Sequence, residues 1–468
     1  MASWCADNLY DVKQWKDSGL ELTCSSNQAA KMFDAVLRQL VSWIDCEQLG
    51  GIIKTTETMM ESEPDFIMGK CLVLGMDAMG TGRSVYRDKS YRQQLQNLLE
   101  MAKNCTPREE KHVKAVNYFA HGEMRSACVE WEKILAEHPT DLMAIKFSHD
   151  AYFFMGDSLG KRDSVERVIS KWKPEIPMYS YLHGMYAFGL EECGDYLNAM
   201  KHGHAALEIN RQDCWATHAV AHCYEMKGEH DQGIEFMESS NEDWSPCWML
   251  ACHNYWHTAL FHIEKGDYKA ALTIFDSQIC ERSKSSKMML DMVDATSLLL
   301  RLEMEGVDVG LDRWNELLEV ISPHIDDHIL AFNDAHISMA LSRVGTEEMR
   351  NMHGRSVSDF VKEGAGHDNW RIMRDLGELL CDAIVDFNEG RCDAAFEKLY
   401  PIRTQIFQIG GSHAQRDVFT QVLIHAGLRS SNVANKKLAV AAVEERKKLK
   451  EKSALADRLL AKHTVGHK

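Results

Sequence analysis

Three residues with metal-ligand or acid–base side chains share one face of a predicted helix in the middle of the chain. His218, His222 and Glu225 occur in THAVAHCYEMKGE at spacings of four and three residues. On an α-helix such positions project to the same side. Imidazole nitrogens and carboxylate oxygens are ligands that suit zinc. The pattern therefore makes His218, His222 and Glu225 candidate ligands of a divalent metal ion.

A second histidine pair of the same spacing, His253 and His257, follows in CHNYWHTALFHIEKG. The HExxH signature of zinc metalloproteases is absent, because Ala219 stands where that motif has its glutamate. Three interpretations of the histidines stay open: a metal site, a groove for a peptide or small molecule, or a polar network that only stabilises the fold. Acid–base chemistry by a histidine that Glu225 or Asp150 orients is also conceivable.

Other polar and aromatic residues fall on the predicted inner face of the same and neighbouring helices. Among them, Trp256 offers a ring on which a ligand can stack. The full predicted ligand-binding set is Asp150, His218, His222, Glu225, His253, Trp256, His257, Asp334, His336, Arg416 and Asp417. The sequence contains no nucleophile elbow, phosphate-binding glycine loop or dinucleotide fingerprint. Catalytic residues therefore stay unassigned, and enzymatic activity stays an open question.

The helices that carry these residues are predicted from a helical hairpin in residues 252–277. The two helices of the hairpin meet at Gly266, which suits a left-handed turn, and Asp267 suits the start of the second helix. An apolar stripe at helical spacing follows Asp267. One hairpin cannot bury that stripe alone, so neighbouring hairpins of the same kind are required.

Glycines recur along the chain at intervals that match such hairpins. Gly122, Gly194 and Gly266 are separated by steps of 72 residues. Further turn glycines are predicted at Gly156, Gly228, Gly306, Gly345, Gly390 and Gly427. A period of about 34 residues with one hairpin per unit is typical of tetratricopeptide repeats. We therefore predict an all-α fold, an α-solenoid of tetratricopeptide-type helical hairpins.

The predicted organisation has five segments. In chain order they are a weakly ordered lead-in (1–24), diverged hairpins (25–107), regular repeats (108–285, with clear units at 108–141, 180–213 and 252–285), degenerate repeats with an insertion near 346–369 (286–430), and a capping helix with its tail (431–468). The basic run KKLAVAAVEERKKLKEK in the last segment also fits a helix that contacts a partner or a membrane surface. We prefer the cap, because acidic residues interrupt the run and solenoids need polar ends.

Composition limits the classes of partner and the compartment. The net charge of −17 disfavours binding to nucleic acid or to an anionic membrane. The fourteen cysteines form no CxxC pair, which is typical of reduced thiols in a cytoplasmic protein. No run of 18 apolar residues occurs, and the first residues lack the basic and apolar regions of a secretory signal. We expect a cytoplasmic protein that binds neither nucleic acid nor membrane.

Several segments resemble the tetratricopeptide repeat family, among them FSHDAYFFMGD, THAVAHCYEMKGE, FNDAHISMAL and GGSHAQRDVFTQVLIHAGL. The resemblance implies an all-α repeat protein whose inner groove binds a peptide or protein, and it supplies no reaction. Some members of the family grip the acidic C-termini of chaperones with Lys and Asn side chains. Here Asp150 occupies one of the corresponding inward positions and would repel a carboxylate, so that clamp is not supported.

The predicted function is that of a scaffold that binds a protein or peptide partner in its concave groove. The alternative is a small-molecule or divalent-metal pocket, with or without enzymatic activity, built from the clustered histidines and Glu225. The first function needs no cofactor, whereas the metal form of the second needs a divalent cation.

Overall fold

The computed structural model describes residues 3–465 of the 468-residue chain. Every regular element in that range is a helix, so the predicted all-α fold is confirmed. The chain divides into two compact units. Unit 1 comprises the residues up to 219 together with 242–251, and unit 2 comprises 220–241 together with the residues from 252 onward. The boundaries between the units fall within residues 108–285, the range predicted as regular repeats.

The first eleven helices lie in unit 1. They are α1 (Val12–Asp17), α2 (Asn27–Ser42), α3 (Gly51–Ser62), α4 (Ile67–Met79), α5 (Lys89–Met101), α6 (Pro107–Ala120), α7 (Met124–Glu137), α8 (Leu142–Phe154), α9 (Ser158–Ile169), α10 (Tyr179–Glu192) and α11 (Tyr196–Ile209). The next four are α12 (Cys214–Lys227), α13 (His230–Ser239), α14 (Asn241–Trp244) and α15 (Leu250–Lys265). Of these, α13 belongs to unit 2 and the other three contribute residues to both units.

The remaining helices lie in unit 2. They are α16 (Tyr268–Ile274), α17 (Cys280–Ser286), α18 (Met289–Met304), α19 (Leu311–Ile321), α20 (Ala331–Val344), α21 (Glu347–Glu363), α22 (Asp368–Ile372), α23 (Glu378–Asn388), α24 (Cys392–Ile402), α25 (His413–Arg429), α26 (Val433–Leu449) and α27 (Ala454–Val465). One π-turn joins α16 to α17 and another joins α22 to α23, so each pair forms one continuous helix.

Consecutive helices pack against each other across short turns. In unit 1 this holds for every neighbouring pair from α6 to α11. In unit 2, α18 packs against α19, α20 and α25, and α25 in turn packs against α26. The glycines between paired helices have positive φ angles at Gly122, Gly156, Gly194, Gly228, Gly266, Gly306 and Gly390. As predicted, Asp267 caps the helix after Gly266, because its carboxylate accepts from the N–H of Ala270 at 3.1 Å.

Two of the predicted turn glycines, Gly345 and Gly427, have no positive φ angle. Gly345 ends α20 with an extended backbone, at φ −63° and ψ 144°. Gly427 lies inside α25, where α26 approaches so closely that a Cβ on this residue would meet the Cβ of Ala439 at 2.5 Å. At Gly427 the absence of a side chain therefore serves the contact between two helices and not a turn.

Three segments differ from their predicted character. The lead-in contains α1, whose Trp15 is buried and donates from its indole to the carbonyl of Ala30 at 3.2 Å. The segment predicted as an insertion near 346–369 is mostly helical, since α21 pairs with α20. The C-terminal segment contains two helices, α26 and α27, in place of one cap. Residues 1–2 of the lead-in and 466–468 of the tail lie outside the described range.

Candidate functional site

Two residues of the predicted ligand-binding set, Asp150 and His218, belong to unit 1. Asp150 forms an ion pair with Lys146 one turn earlier on α8. The ammonium of Lys146 is buried between Trp43 and Trp215, 4.9 Å from the centre of each ring. Asp150 therefore balances the charge of a lysine inside an aromatic sandwich.

His218 packs against an aromatic ring of unit 1. Its imidazole meets Phe188 edge-on, with 4.6 Å between the ring centres. The other predicted residues of the set lie in unit 2.

Three imidazoles converge in unit 2, and we call His222, His253 and His257 the imidazole centre. His222 projects from α12, whereas His253 and His257 lie one turn apart on α15. Their potential ligand nitrogens lie within 4.8 Å of one another. The ring centres of His222 and His257 are 4.3 Å apart, and those of His253 and His257 are 4.6 Å apart. His222 and His257 are fully buried, whereas the side chain of His253 is 12% exposed.

Each histidine of α15 contacts a carboxylate with its Nδ1 atom. Nδ1 of His257 lies 3.0 Å from Oε2 of Glu225, and Nδ1 of His253 lies 2.6 Å from Oδ2 of Asp294 on α18. The second oxygen of Asp294 accepts from the amide of Gln415 at 2.9 Å. These contacts fix the orientation of both rings and leave their Nε2 atoms turned towards each other, 3.1 Å apart.

The environment of the centre favours a neutral His257 beside an ionised Glu225. Burial and the nearby His222 lower the pKa of His257 to about 3, and Glu225 offsets only part of that effect. Burial would raise the pKa of Glu225, but the charge of Lys450 and the hydrogen bond from His257 hold it well below its usual range. The Nδ1–H of a neutral His257 donates to Glu225, so its Nε2 carries a lone pair.

Trp256 forms one wall of the imidazole centre. Its ring stacks on His253 at 5.1 Å and meets His257 edge-on at 5.0 Å. The indole N–H donates to the hydroxyl of Ser297 at 3.2 Å, and the guanidinium of Arg301 lies 5.7 Å from the ring centre. Trp256 is thus a buried packing residue with a satisfied donor, and its face is covered by His253.

The four remaining predicted residues form contacts of their own. Asp334 accepts from His328 at 2.8 Å, and Nδ1 of His336 donates to the carbonyl of Phe332 at 2.7 Å. Burial lowers the pKa of His336 to about 4. The guanidinium of Arg416 donates to the carbonyl of Gly411.

Asp417 binds two guanidinium groups, Arg446 at 2.8 Å and Arg301 at 3.4 Å. Asp334, His336, Arg416 and Asp417 therefore make these contacts within unit 2.

Two residues near the centre carry no sequence motif of their own: Asp294 contacts His253, and Lys450 contacts Glu225. Lys450 donates to Oε1 of Glu225 at 2.8 Å from a position 225 residues away in the sequence. Asp294 stands in α18, whose sequence MLDMVDATSLLLRLEM is otherwise largely apolar. A carboxylate in such a helix is a signal of a buried polar contact, because ionised groups are rarely buried without a partner. No comparable signal marks Lys450.

The geometry also changes the predicted metal-ligand set. Both oxygens of Glu225 already have partners, Lys450 on one and His257 on the other. Glu225 therefore contacts the Nδ1 side of His257 and does not share the position of a ligand with its Nε2 atom. The nitrogens that face one another within unit 2 come from His222, His253 and His257.

No protein-family model matches the chain. Among solved structures, the Cut9–Hcn1 hetero-tetramer of the APC/C is 13% identical, with 84% of this chain and 72% of that chain covered and a TM-score of 0.35. A human IFIT1 dimer with m7Gppp-AAAA is 12% identical, with 99% of each chain covered and a TM-score of 0.34. Yeast Tom70 is 13% identical, with 85% and 88% covered and a TM-score of 0.30.

A separate finding concerns membranes: among the described helices, none combines the length and the apolar character needed to cross a bilayer.

Proposed function

We propose that the imidazole centre of unit 2 binds a divalent transition-metal ion such as zinc. The observation that supports this proposal most directly is the pair of Nε2 atoms of His253 and His257, which face each other at 3.1 Å. Two neutral imidazoles whose Nδ1–H groups are both engaged would point lone pairs at each other. A proton or a metal ion shared between the nitrogens removes that repulsion.

The distances fit a shared metal ion. Zinc binds histidine nitrogen at about 2.0–2.1 Å in tetrahedral geometry, which places two ligand nitrogens about 3.3 Å apart. The observed separation of 3.1 Å between the Nε2 atoms of His253 and His257 is close to that value. His222 supplies a third nitrogen within 4.8 Å. Three imidazoles suit zinc, copper, nickel or iron better than magnesium or calcium, which prefer oxygen ligands.

The carboxylates behind the histidines support the same proposal. Metal-binding histidines commonly donate their second ring N–H to a carboxylate, which sets the tautomer and raises the basicity of the ligand. Glu225 and Asp294 occupy those positions behind His257 and His253. Their two negative charges would offset the charge of a divalent ion in a buried site, where an uncompensated charge is strongly unfavourable.

Metal content and metal-dependent stability test the proposal. We expect the purified protein, stripped with a chelator and reloaded with zinc, to bind one ion per chain by elemental analysis. At a free zinc concentration 100 times the dissociation constant, binding should stabilise the protein by about 2.7 kcal/mol. Cobalt in the same site should give the visible d–d absorption of a nitrogen-coordinated tetrahedral ion.

Variants of the ligands provide the decisive comparison. His222→Gln, His253→Gln and His257→Gln should each abolish stoichiometric binding and the thermal shift. His262→Gln is the matched control, because His262 lies on the same helix and its nearest charged partner is Asp267, at 3.6 Å. A wild-type protein that binds none of zinc, cobalt, nickel or copper would refute the proposal and leave a shared proton as the link between the rings. Equal loss of binding in His262→Gln would refute it as well.

A second proposed function is the binding of a protein or peptide partner by the helical-repeat scaffold. It is supported by a surface groove of about 490 Å³ in unit 1, along α7 and the end of α8. Its lining combines Cys128, Val129, Ala136, Tyr152 and Met155 with four charged residues, Arg125, Glu132, Lys133 and Asp157. Val129 is about half exposed although it is apolar. The occupant that we propose is a peptide segment with an apolar side chain at its centre.

A charge placed in the groove tests this second function. Val129→Asp should abolish the capture of interacting proteins by the immobilised chain, because a carboxylate disfavours burial of an apolar side chain. Ile53→Asp is the matched control, since Ile53 is also an exposed aliphatic residue of unit 1 and lies outside the groove. Capture of the same proteins by wild type and both variants would refute a role for the groove.

The sequence segments quoted above also favour kinship with tetratricopeptide repeat protein 38, and we propose it on that resemblance alone. The cytoplasm is the compartment that we propose, because all fourteen cysteines are free thiols.

A further inference from the structure

A lysine near the end of the chain lies directly behind the imidazole centre. Lys450 follows α26, and its Nζ donates to Oε1 of Glu225 at 2.8 Å. The other carboxylate oxygen of Glu225 lies 3.0 Å from Nδ1 of His257. Lys450, Glu225 and His257 are all buried. A single carboxylate is therefore shared between a proposed metal ligand and the C-terminal part of the chain.

The lysine belongs to residues 446–458, a segment that we call the C-terminal latch. Polar contacts hold the latch on the end of α15, where the carboxylate of Glu264 is the common acceptor. Arg446 donates to Glu264 at 2.9 Å, and the hydroxyl of Ser453 donates to it at 3.0 Å. Lys450 itself lies 3.6 Å from the same carboxylate. The latch is thus fixed by buried charges, of which Lys450 is the one that contacts Glu225, the carboxylate behind His257.

The buried network around Glu225 carries more acidic than basic groups. Hydrogen bonds and ion pairs connect four carboxylates (Glu225, Glu264, Asp294 and Asp417) with three basic side chains (Arg301, Arg446 and Lys450). The excess negative charge attracts a divalent cation. The ammonium of Lys450 opposes that attraction, because like charges repel strongly where little water screens them.

We propose that Lys450 and the metal ion compete for the negative charge of Glu225, so that metal binding and docking of the C-terminal latch oppose each other. This inference rests on the proposed metal centre and adds its regulation. By thermodynamic reciprocity, a latch that weakens metal binding must itself be weakened by metal to the same degree. The imidazole centre would then act as a switch that loosens the end of the chain when metal is bound.

Metal affinity in variants of one position tests the competition. Lys450→Met removes the charge and should tighten zinc binding at least tenfold, measured by competition with a chromogenic chelator. Lys450→Arg keeps the charge and should bind zinc like the wild type. Lys452→Met is the control within the same segment, because its side chain is 68% exposed, and it should also leave the affinity unchanged.

Hydrogen exchange in the wild-type protein tests the reciprocal effect without any substitution in the latch. Addition of zinc should increase amide exchange in residues 446–458 severalfold. The same addition to His257→Gln should change nothing in that segment, since the proposed ligand is missing. Exchange in α7 of unit 1 serves as an internal reference.

The outcomes separate the two proposals. A wild-type protein that binds zinc, together with unchanged or weaker binding by Lys450→Met, overturns the competition and leaves the metal centre intact. Slower amide exchange in the latch after addition of zinc would likewise overturn the competition and leave the metal centre intact. A wild-type protein that binds no metal overturns the metal centre and this inference together.

Discussion

Removal of the Arg446 side chain should destabilise unit 2 more than a typical substitution. Its guanidinium is 4% exposed and donates to Glu264 at 2.9 Å and to Asp417 at 2.8 Å. Arg446→Met preserves much of the side-chain volume but leaves the buried carboxylate of Glu264 and the half-buried one of Asp417 with fewer partners. Breaking a buried ion pair from one side costs about 3–5 kcal/mol. For a unit of this size that corresponds to a fall in melting temperature of roughly 10 °C.

A double-mutant cycle with Glu264→Gln separates the ion pair from other effects of the substitution. Removal of both partners should cost less than the sum of the single changes, with a coupling free energy of about 1–3 kcal/mol. The free energies come from urea denaturation followed by circular dichroism, at pH 7.5 and with a chelator present so that bound metal does not contribute. Arg355→Met is the control, because Arg355 is an exposed residue of α21 that donates to a backbone carbonyl.

The pH dependence of the same cycle gives an independent check. Burial would raise the pKa of Glu264, but Arg446 and Lys450 lower it to about 2. A lowered folded-state pKa stabilises the protein above the unfolded-state pKa of 4.5, and that stabilisation is lost as the pH falls towards 2. The advantage of the wild type over Glu264→Gln should therefore be about 3 kcal/mol at neutral pH and shrink below pH 4.5. A loss below 1 kcal/mol in Arg446→Met, or strictly additive effects in the cycle, would contradict the reasoning.

Two further predictions concern stability. Burial raises the pKa of Asp213 to about 7 from 3.8, so its ionised form destabilises unit 1 as the pH rises from 4 to 7. Asp213→Asn should therefore raise the free energy of unfolding by up to about 4 kcal/mol at pH 8 and by almost nothing at pH 4, as urea titrations at both pH values would show. Gly427→Ala should cost about 1–3 kcal/mol because the new methyl group would meet Ala439. Gly354→Ala, in an open position of α21, should be neutral or stabilise by up to about 1 kcal/mol, and equal melting temperatures for the two variants would contradict this account.

The helical hairpins could be predicted from the sequence because the residues that define each hairpin lie close together in the chain. A glycine such as Gly266 ends one helix, Asp267 caps the next, and an apolar stripe follows, all within a few residues. Where the glycine served another purpose, the same rule failed. Gly427 has the expected spacing, but it allows α25 and α26 to approach, and spacing alone cannot separate a turn glycine from a contact glycine.

The imidazole centre could be predicted only in part for a related reason. Helical spacing places His253 and His257 on one face of α15, and the repeat period brings α12 beside it. Spacing also suggested Glu225 as a ligand, since it cannot show that both carboxylate oxygens are already engaged. The sequence therefore predicts which residues share one face of a helix. It does not predict the role of each residue, because that role depends on contacts with residues that the repeat period does not relate to it.

The contact between Lys450 and Glu225 could not be predicted from the repeat period. The period relates each hairpin to the next one, but Lys450 contacts Glu225 across 225 residues and several hairpins. The capping interpretation of the C-terminal helix treated its basic residues as a solvated face, which is the usual role of such a run. In the folded chain Arg446 and Lys450 instead form ion pairs with the buried carboxylates of Glu264 and Glu225. The cations that contact these two buried carboxylates are thus supplied by a segment whose position the repeat period does not predict.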